Sequence, residues 1–453
     1  MTDPLDDDEL VAAIDDRSAR GIAAGVGRLV RSGAVLPGAR LPTVRSIAGR
    51  LGVSPTTVSE AWQALARSGA IESRGRAGTF VREGAAAHGP SRYRRITRGP
   101  GVYTQDLSTG VPDPALLPDL GRAQALSAPG DLTTNYLDDP VDPPLAAVLA
   151  DRWPFPAEAM TVVDGCLDGL ARVASVVVRY GDRVLVENPT FPPLLDLLGD
   201  LGAEVVPVAL DGAGPRPDAL AAGLASGAVA FVFQPRAHNP AGVSLSADRA
   251  AQLAAVLAEG PPSVVVVEDD HAGDSSSCPL VSLGTWLPGR TVHVSGFSKS
   301  HGPDLRLAAV GGTGAVVDAV VSQRRLGPGW SSRLLQRLLA TMLTDPVTVH
   351  AVSAASREYG ARRSALASAL ADRGVATGGE DGIYLWVPVL DEQAALVALA
   401  SQGIGASPGS PFASAPLDRD HVRITAGLVA ADVDDLAEAL AAAATAPPAY
   451  RRR

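Results

Sequence analysis

Lysine is almost missing from this 453-residue chain: of 39 basic residues, Lys299 is the one lysine and 38 are arginine. Arginine stays protonated in proteins, whereas a lysine amine can deprotonate and attack a carbonyl carbon to form a Schiff base. A chain that uses arginine for every other fixed positive charge leaves its lysine free for a role arginine cannot fill. Cysteine is scarce too. Cys166 and Cys278 cannot build a disulfide framework, so a reducing compartment is expected. No uncharged apolar stretch comes near the roughly 20 residues that span a bilayer. The opening MTDPLDDDELVAA has neither the basic region nor the apolar core of a secretory signal. A soluble, cytoplasmic protein is the expectation. Aromatic residues are 4% of the chain, but a hydrophobic content of 46% excludes a disordered one. The length requires at least two domains.

The net charge of −10 is unevenly spread. Residues 1–16 carry seven acidic and no basic side chains, while residues 17–98 carry fifteen arginines against Glu60, Glu72 and Glu83, a local balance of +12. A compact basic block on an acidic protein suits a nucleic-acid-binding domain, although charge alone favours a merely solvated basic face.

The motifs in that block decide between the two. A helix fits 17–32, followed by the Pro/Gly turn LPGARLP. Thr43 is a good N-cap for a helix through Leu51, with Val44, Ile47, Ala48 and Leu51 on one face and Gly52 ending it. Ser54 caps the next helix with Pro55 in its first position; Val58, Ala61, Trp62 and Leu65 recur at helical spacing, and Ser68-Gly69 stops it. Short strands fit 70–73 and 79–82 around RGRAG. Two helices about a tight turn and then a two-stranded flap make a winged helix-turn-helix.

The string LPGARLPTVRSIAGRLGVSPTTVSEAWQALARSGAIESRGRAGTFV resembles the GntR-type DNA-binding domain along its whole length. The resemblance implies that the helix starting at Ser54 enters the major groove, presenting Thr56, Thr57 and Ser59 to bases and phosphates. Arg45 resembles the family's phosphate-contacting arginine, and Arg74 and Arg76 on the wing are placed for the backbone or minor groove. Pro55 departs from the family pattern, standing where many relatives carry an arginine. Residues 1–83 thus read as the DNA-binding domain and 84–105, rich in Gly, Ala, Pro and Arg, as a flexible basic linker.

From residue 106 to the end, short β-branched runs (183–188, 203–210, 229–235, 263–270, 291–297) alternate with Ala/Leu-rich helical segments. That pattern predicts an α/β fold on a mostly parallel sheet, with ligands beyond the carboxyl ends of the strands. Segment 360–447, with IYLWVPV and VRITAG, reads as a smaller C-terminal α+β unit.

Polar motifs sit at those strand ends. SGFSKSHGPDLRLAAV places Lys299 just after a strand, beside Ser298, with Arg306 seven residues on. VVVVEDDH ends a buried strand in Asp269, Asp270 and His271; QPRAHNPAG carries Asn239, ENPTF Phe191, DGCLDGL Cys166 and Leu167, NYLDDP Tyr136, and HVRITAGL Arg423. Their order and spacing resemble the fold-type-I pyridoxal-phosphate enzymes of the aspartate aminotransferase class. With the GntR-like domain, the chain resembles the MocR subfamily of transcription regulators. The expected fold is therefore multidomain: a helical winged helix-turn-helix, then an α/β fold-type-I transferase domain with a small α+β subdomain.

The resemblance implies pyridoxal 5'-phosphate as cofactor and a role for each residue. Lys299 would form the Schiff base and Arg306 would hold the phosphate, together with the Cys166 and Leu167 backbone amides at a helix N-terminus. Asp269, or failing it Asp270, would pair with the ring nitrogen; Asn239 and His271, the latter in place of a usual tyrosine, would bond the phenolic oxygen. Phe191 would stack on the ring, the alternative being a core phenylalanine. Tyr136 would reach a partner subunit's phosphate, implying a head-to-tail homodimer, unless it is an ordinary surface or core tyrosine. Arg423 would grip an effector's carboxylate, unless it makes a structural ion pair. Leu167 and Gly296 stand where relatives favour polar residues. No metal is implied. The reading is a DNA-binding regulator that senses pyridoxal phosphate or an amino-acid or amine effector. An active aminotransferase with an accessory DNA-binding domain is the alternative, and a degenerate domain kept for dimerisation is a third.

Overall fold

The computed structural model describes residues 7–31, 34–36, 38–67, 70–82, 91–96, 103–127 and 135–447. The chain forms two compact units. One comprises Met1–Ser91 with Val178–Val184 and Asp196–Val206, and the other the remainder.

In the first unit the helices are Asp7–Ala12, Ala19–Arg31, Val44–Leu51 and Pro55–Arg67. The first of these was not expected; its Leu10 is buried in the unit's core. The helix expected from residue 17 begins at Ala19 because the Ser18 hydroxyl accepts from the Gly21 amide at 3.0 Å and so caps it. Thr43 caps the third helix, accepting from the Ser46 amide, and Gly52 closes it in the left-handed region at φ 68°. Ser54 accepts from the Thr57 amide at 3.1 Å and starts the fourth. The stop expected at Ser68-Gly69 lies outside the described residues. The wing is the antiparallel pair Ile71–Ser73 and Thr79–Val81, one residue shorter at the first strand's start and the second's end than the pattern suggested. Ile22, Val26, Ile47, Leu51, Val58, Trp62, Leu65, Ile71 and Val81 lie in the core, and of these Ile47, Leu51, Val58, Trp62 and Leu65 belong to the apolar faces foreseen from helical spacing.

The second unit holds most of an eight-stranded sheet. In spatial order its strands are Ala159–Val163, Ala308–Gly312, Thr291–Gly296, Val265–Asp270, Ala230–Phe233, Arg183–Asn188, Glu204–Asp211 and Gly214–Pro215. Thr291–Gly296, Val265–Asp270 and Ala230–Phe233 run parallel. The expectation that each strand leads into a helix fails more than once: only short 3-10 turns follow Val265–Asp270, and Glu204–Asp211 is followed by the antiparallel Gly214–Pro215 before its helix. After Thr291–Gly296 the chain makes the lysine-bearing turn and returns antiparallel as Ala308–Gly312. The glycines and small residues of that returning strand let it lie between two neighbours, all five of its residues being buried.

The C-terminal portion packs Leu385–Val389 antiparallel to Asp420–Ile424, so IYLWVPV and VRITAG are partners in one sheet. Helices Pro346–Ala371, Glu392–Ala400 and Val433–Ala444 cover it around a core that includes Leu366, Leu385, Val387, Leu399, Ile424 and Leu440. Segment 84–105 is not uniformly the structureless linker expected: Ser91–Ile96 is helical and Gln105–Asp106 pairs in parallel with Ile404–Gly405. Its remaining residues, except 103–104, are outside the described set. Among the described residues no single helix is long and apolar enough to cross a membrane.

Candidate functional site

Parallel strands deliver their carboxyl ends to one edge of a sheet, and the turns there are freed from packing duties. Lys299 lies in the turn after Thr291–Gly296, half-buried, with Nζ donating to the Gly110 carbonyl. The Tyr384 hydroxyl donates to the same oxygen at 3.1 Å. Arg306 ends that turn in the left-handed region (φ 49°) and its Nη2 donates to the Asp164 carbonyl at 3.1 Å. Gly165, at φ 105°, sits directly against it: a Cβ there would lie 2.9 Å from Arg306 Nη2. Glycine is what lets the guanidinium lie over the start of helix Cys166–Val177, whose first amides have no partner within the helix.

Three acidic residues in succession end the strand Val265–Asp270. Glu268 accepts from Ser282, the Leu283 amide and His293. Asp270 accepts a bidentate pair from Arg236 at 2.8 and 2.8 Å. Burial alone would raise the Asp270 carboxyl, but the Arg236 guanidinium holds it below the ordinary carboxylate range. Asp269 is buried, and its Oδ1 has no hydrogen-bond partner. Burial, with the neighbouring Asp270 and Glu187 carboxylates, pushes its pKa up to about 8. An acceptor this costly to leave unpaired fits a ligand's N–H. His271 is likewise orphaned at Nδ1; burial and the Lys299 ammonium push its pKa down to about 3, so its ring is neutral.

Arg423 and Asn239 meet. Arg423 is 3% exposed; its Nη1 donates to Asn239 Oδ1 at 3.3 Å and its Nη2 to the Ser108 carbonyl, while Nε is buried without a partner. The guanidinium lies 4.9 Å from the Tyr384 ring centre and 5.2 Å from that of Phe412. Among the described residues no carboxylate pairs with it. Asn239 is fixed by a cis peptide to Pro240 and by its amide's bond to Gln234 at 2.7 Å.

Together these groups suit a phosphorylated pyridine aldehyde: an amine for the aldehyde, a buried acceptor for a ring N–H, and a guanidinium with helix amides for a phosphate. Phe191 and Ser298 are half-buried beside the cis Asn188–Pro189 turn and Lys299 respectively. Cys166 turns its thiol inward, where burial and the Asp269 and Asp270 carboxylates raise its pKa, and Leu167 stays 39% exposed. Tyr136 is not drawn into the site. It is 86% exposed, its ring 6.0 Å from that of Trp330.

In the first unit Arg45 and Thr56 are exposed, Ser59 is half-buried, and Thr57 is drawn into the cap with Oγ1 2.8 Å from Ser54 Oγ. Arg74 bonds Glu72 at 2.6 Å and lies 4.8 Å from the Phe80 ring centre, so the wing itself holds it. The Arg76 side chain is outside the described set. Arg40, which the motif reading passed over, is exposed and bridges to Phe80 beside the wing turn.

Residues 105–440 match the family described as aminotransferase class I and II, and residues 18–81 match the bacterial regulatory proteins of the gntR family. The chain belongs to both families, joined. The chain is 36% identical over 410 residues to the vitamin B6 salvage pathway transcriptional repressor PtsJ of Salmonella typhimurium, spanning 89% of this chain and 93% of that one. It is 30% identical over 431 residues to the HTH-type transcriptional regulator TauR of Rhodobacter capsulatus, spanning 84% and 87%. Among solved structures, the multiple substrate aminotransferase of Thermococcus profundus superposes with a TM-score of 0.70 at 20% identity, over 80% of this chain and 96% of that one. This is a GntR–aminotransferase regulator with the MocR-type arrangement, and its GntR-type domain binds DNA.

Several residues of this GntR–aminotransferase regulator escaped the motif reading. Arg236, which fixes the charge on Asp270, sits in QPRAHNPAG beside the noticed Asn239, yet nothing in the sequence says which carboxylate it meets. Tyr384, the roof of Arg423 and neighbour of His271 with ring centres 6.5 Å apart, reads as an ordinary strand residue. Gly296 has a steric cause: a Cβ there would come within 2.4 Å of Cys166 Sγ. Gly296 and the inward thiol of Cys166 are therefore one packing decision.

Proposed function

We propose that the aminotransferase-type unit holds pyridoxal 5'-phosphate and senses an amino-acid or amine effector, and that this occupancy sets the DNA affinity of the GntR-type domain. The buried, unpartnered Asp269 oxygen in the same strand-end site as the chain's sole lysine carries the cofactor part of the reading. Pyridoxal phosphate, when bound, supplies an aldehyde for amines and an electron-withdrawing ring. Lys299 provides the amine that tethers it. Asp269 accepts the ring N–H, Asn239 and His271 bond the phenolic oxygen, Phe191 covers the ring face, and Ser298, Arg306 and the Cys166 and Leu167 amides receive the phosphate. Arg423 receives an effector carboxylate. Arg45, Thr56, Thr57, Ser59, Arg74, Arg76 and residues 1–83 as a domain serve DNA, and residues 106–453 serve the ligand. The exposure of Tyr136 and Leu137 in the single chain suits burial against a second copy in a head-to-tail homodimer.

Borohydride reduction of the protein with pyridoxal phosphate, followed by peptide mapping, tests the assignment. The label is expected on Lys299 and is lost in Lys299→Ala, leaving only the N-terminal amine. An unlabelled Lys299 peptide refutes it.

A further inference from the structure

Segment Ser410–Ala415 touches the linker helix, the Arg423 guanidinium and the Asn188 strand end at once. Arg92, on the linker helix Ser91–Ile96, donates through one nitrogen to the carbonyls of Pro411 and Ala413 at 2.9 and 2.7 Å. Arg95 donates to Ser410 Oγ at 2.7 Å. The residue between those two carbonyls is Phe412, fully buried, whose ring faces the Arg423 guanidinium at 5.2 Å and the edge of Trp386. The ends of the segment are pinned separately. Ser410 bonds Glu392 through its amide and hydroxyl at 2.5 and 2.9 Å. Ser414 and Ala415 bond Asn188 Oδ1 at 2.9 to 3.2 Å.

We infer that Arg92 is the residue through which the linker reads the Arg423 clamp, with Phe412 as the moving part; this rests on the proposed role of Arg423 as the effector's carboxylate clamp. A carboxylate arriving at Arg423 competes with the Ser108 carbonyl and Asn239 for its donors, so the guanidinium shifts. Close packing leaves Phe412 no room to stay behind. The Phe412 carbonyl is held by the Thr190 amide at 2.9 Å, so with the segment's ends also fixed a shift of the Phe412 ring turns the flanking peptide units, whose Pro411 and Ala413 carbonyls hold Arg92. A six-residue helix is too short to persist without tertiary anchors, so weakening the Arg92 bonds loosens the linker helix. The segment is then one element touched by both the Arg423 clamp and the linker helix, which coupling requires.

Trypsin reads the linker directly, because cleavage after Arg94 or Arg95 needs the helix open. In the full-length protein, Arg423→Met and, independently, Phe412→Leu are expected to raise the cleavage rate at these bonds roughly tenfold. Arg419→Ala, an exposed arginine of the same subdomain, should leave it unchanged. Rates within twofold of wild type for both Arg423→Met and Phe412→Leu overturn the inference. Arg92→Met should also raise cleavage, keep any absorbance response to added amino acids, and lose the accompanying change in DNA affinity; a retained change overturns it too. If none of the standard amino acids at millimolar concentration alters the spectrum of the cofactor-loaded protein, while Arg423→Met still opens the linker, the effector reading fails and the coupling stands.

Discussion

Asp269 should make the cofactor-free protein lose stability as pH rises through the neutral range, and Asp269→Asn should remove that slope. A folded-state pKa raised from 3.8 to about 8 means the native protein binds a proton that the unfolded chain has released. The stabilising contribution is complete below the unfolded value and disappears as pH passes the folded one. At about 1.36 kcal/mol per unit, the full shift is on the order of 5 kcal/mol. With an unfolding entropy of about 2.1 cal/mol/K per residue, a unit of this size loses roughly 7 °C of Tm over the whole range. The buried histidines slope the other way. Burial pushes His271 down to about 3 and His301 to about 4, so they cost stability only below the ordinary histidine range. Between about pH 6.5 and 8.5, Asp269 therefore dominates these three groups. Scanning calorimetry across that window, which holds about a third of the full loss, should show the larger unit's Tm falling by roughly 2–3 °C in wild type and staying level in Asp269→Asn. Pyridoxal phosphate should flatten the wild-type curve, since a ring N–H gives the carboxylate its missing partner. Parallel curves for wild type and Asp269→Asn would refute the reasoning.

Arg423→Met should weaken an amino-acid effector by roughly ten- to a hundredfold, the loss of one charge-assisted bond, while pyridoxal phosphate affinity by absorbance titration changes little. Arg45→Ala should reduce the log–log salt slope of DNA binding by about 0.9 and weaken all sequences alike, as fluorescence anisotropy would show. Thr56→Ala should instead change sequence preference by about 1–3 kcal/mol at one position and leave the slope intact. Gly296→Ser should destabilise the protein by about 1–3 kcal/mol through its collision with Cys166, and Cys166→Ala should recover most of that in the double variant, read by denaturant unfolding.

Much of this protein was legible in its sequence because the signals are local. Caps at Thr43 and Ser54, the helical spacing of Val58, Ala61, Trp62 and Leu65, and the β-branched strand runs act within a few residues, and the sole lysine announced its own chemistry. The contacts were not local. That Arg236 spends itself on Asp270 and leaves Asp269 protonated depends on two strand ends 34 residues apart in the chain. That Gly296 answers Cys166 depends on a strand end meeting a helix start 130 positions earlier. The linker's composition predicted flexibility, yet Arg92 and Arg95 find carbonyl and hydroxyl acceptors more than 300 residues away and fold part of it. The sequence alone determined most of the elements and which side chains can do chemistry, since propensity and reactivity belong to residues. Only the tertiary structure decided which of two adjacent carboxylates is charged and what Arg423 leans on, because burial and pairing are properties of neighbours that the chain brings together by folding.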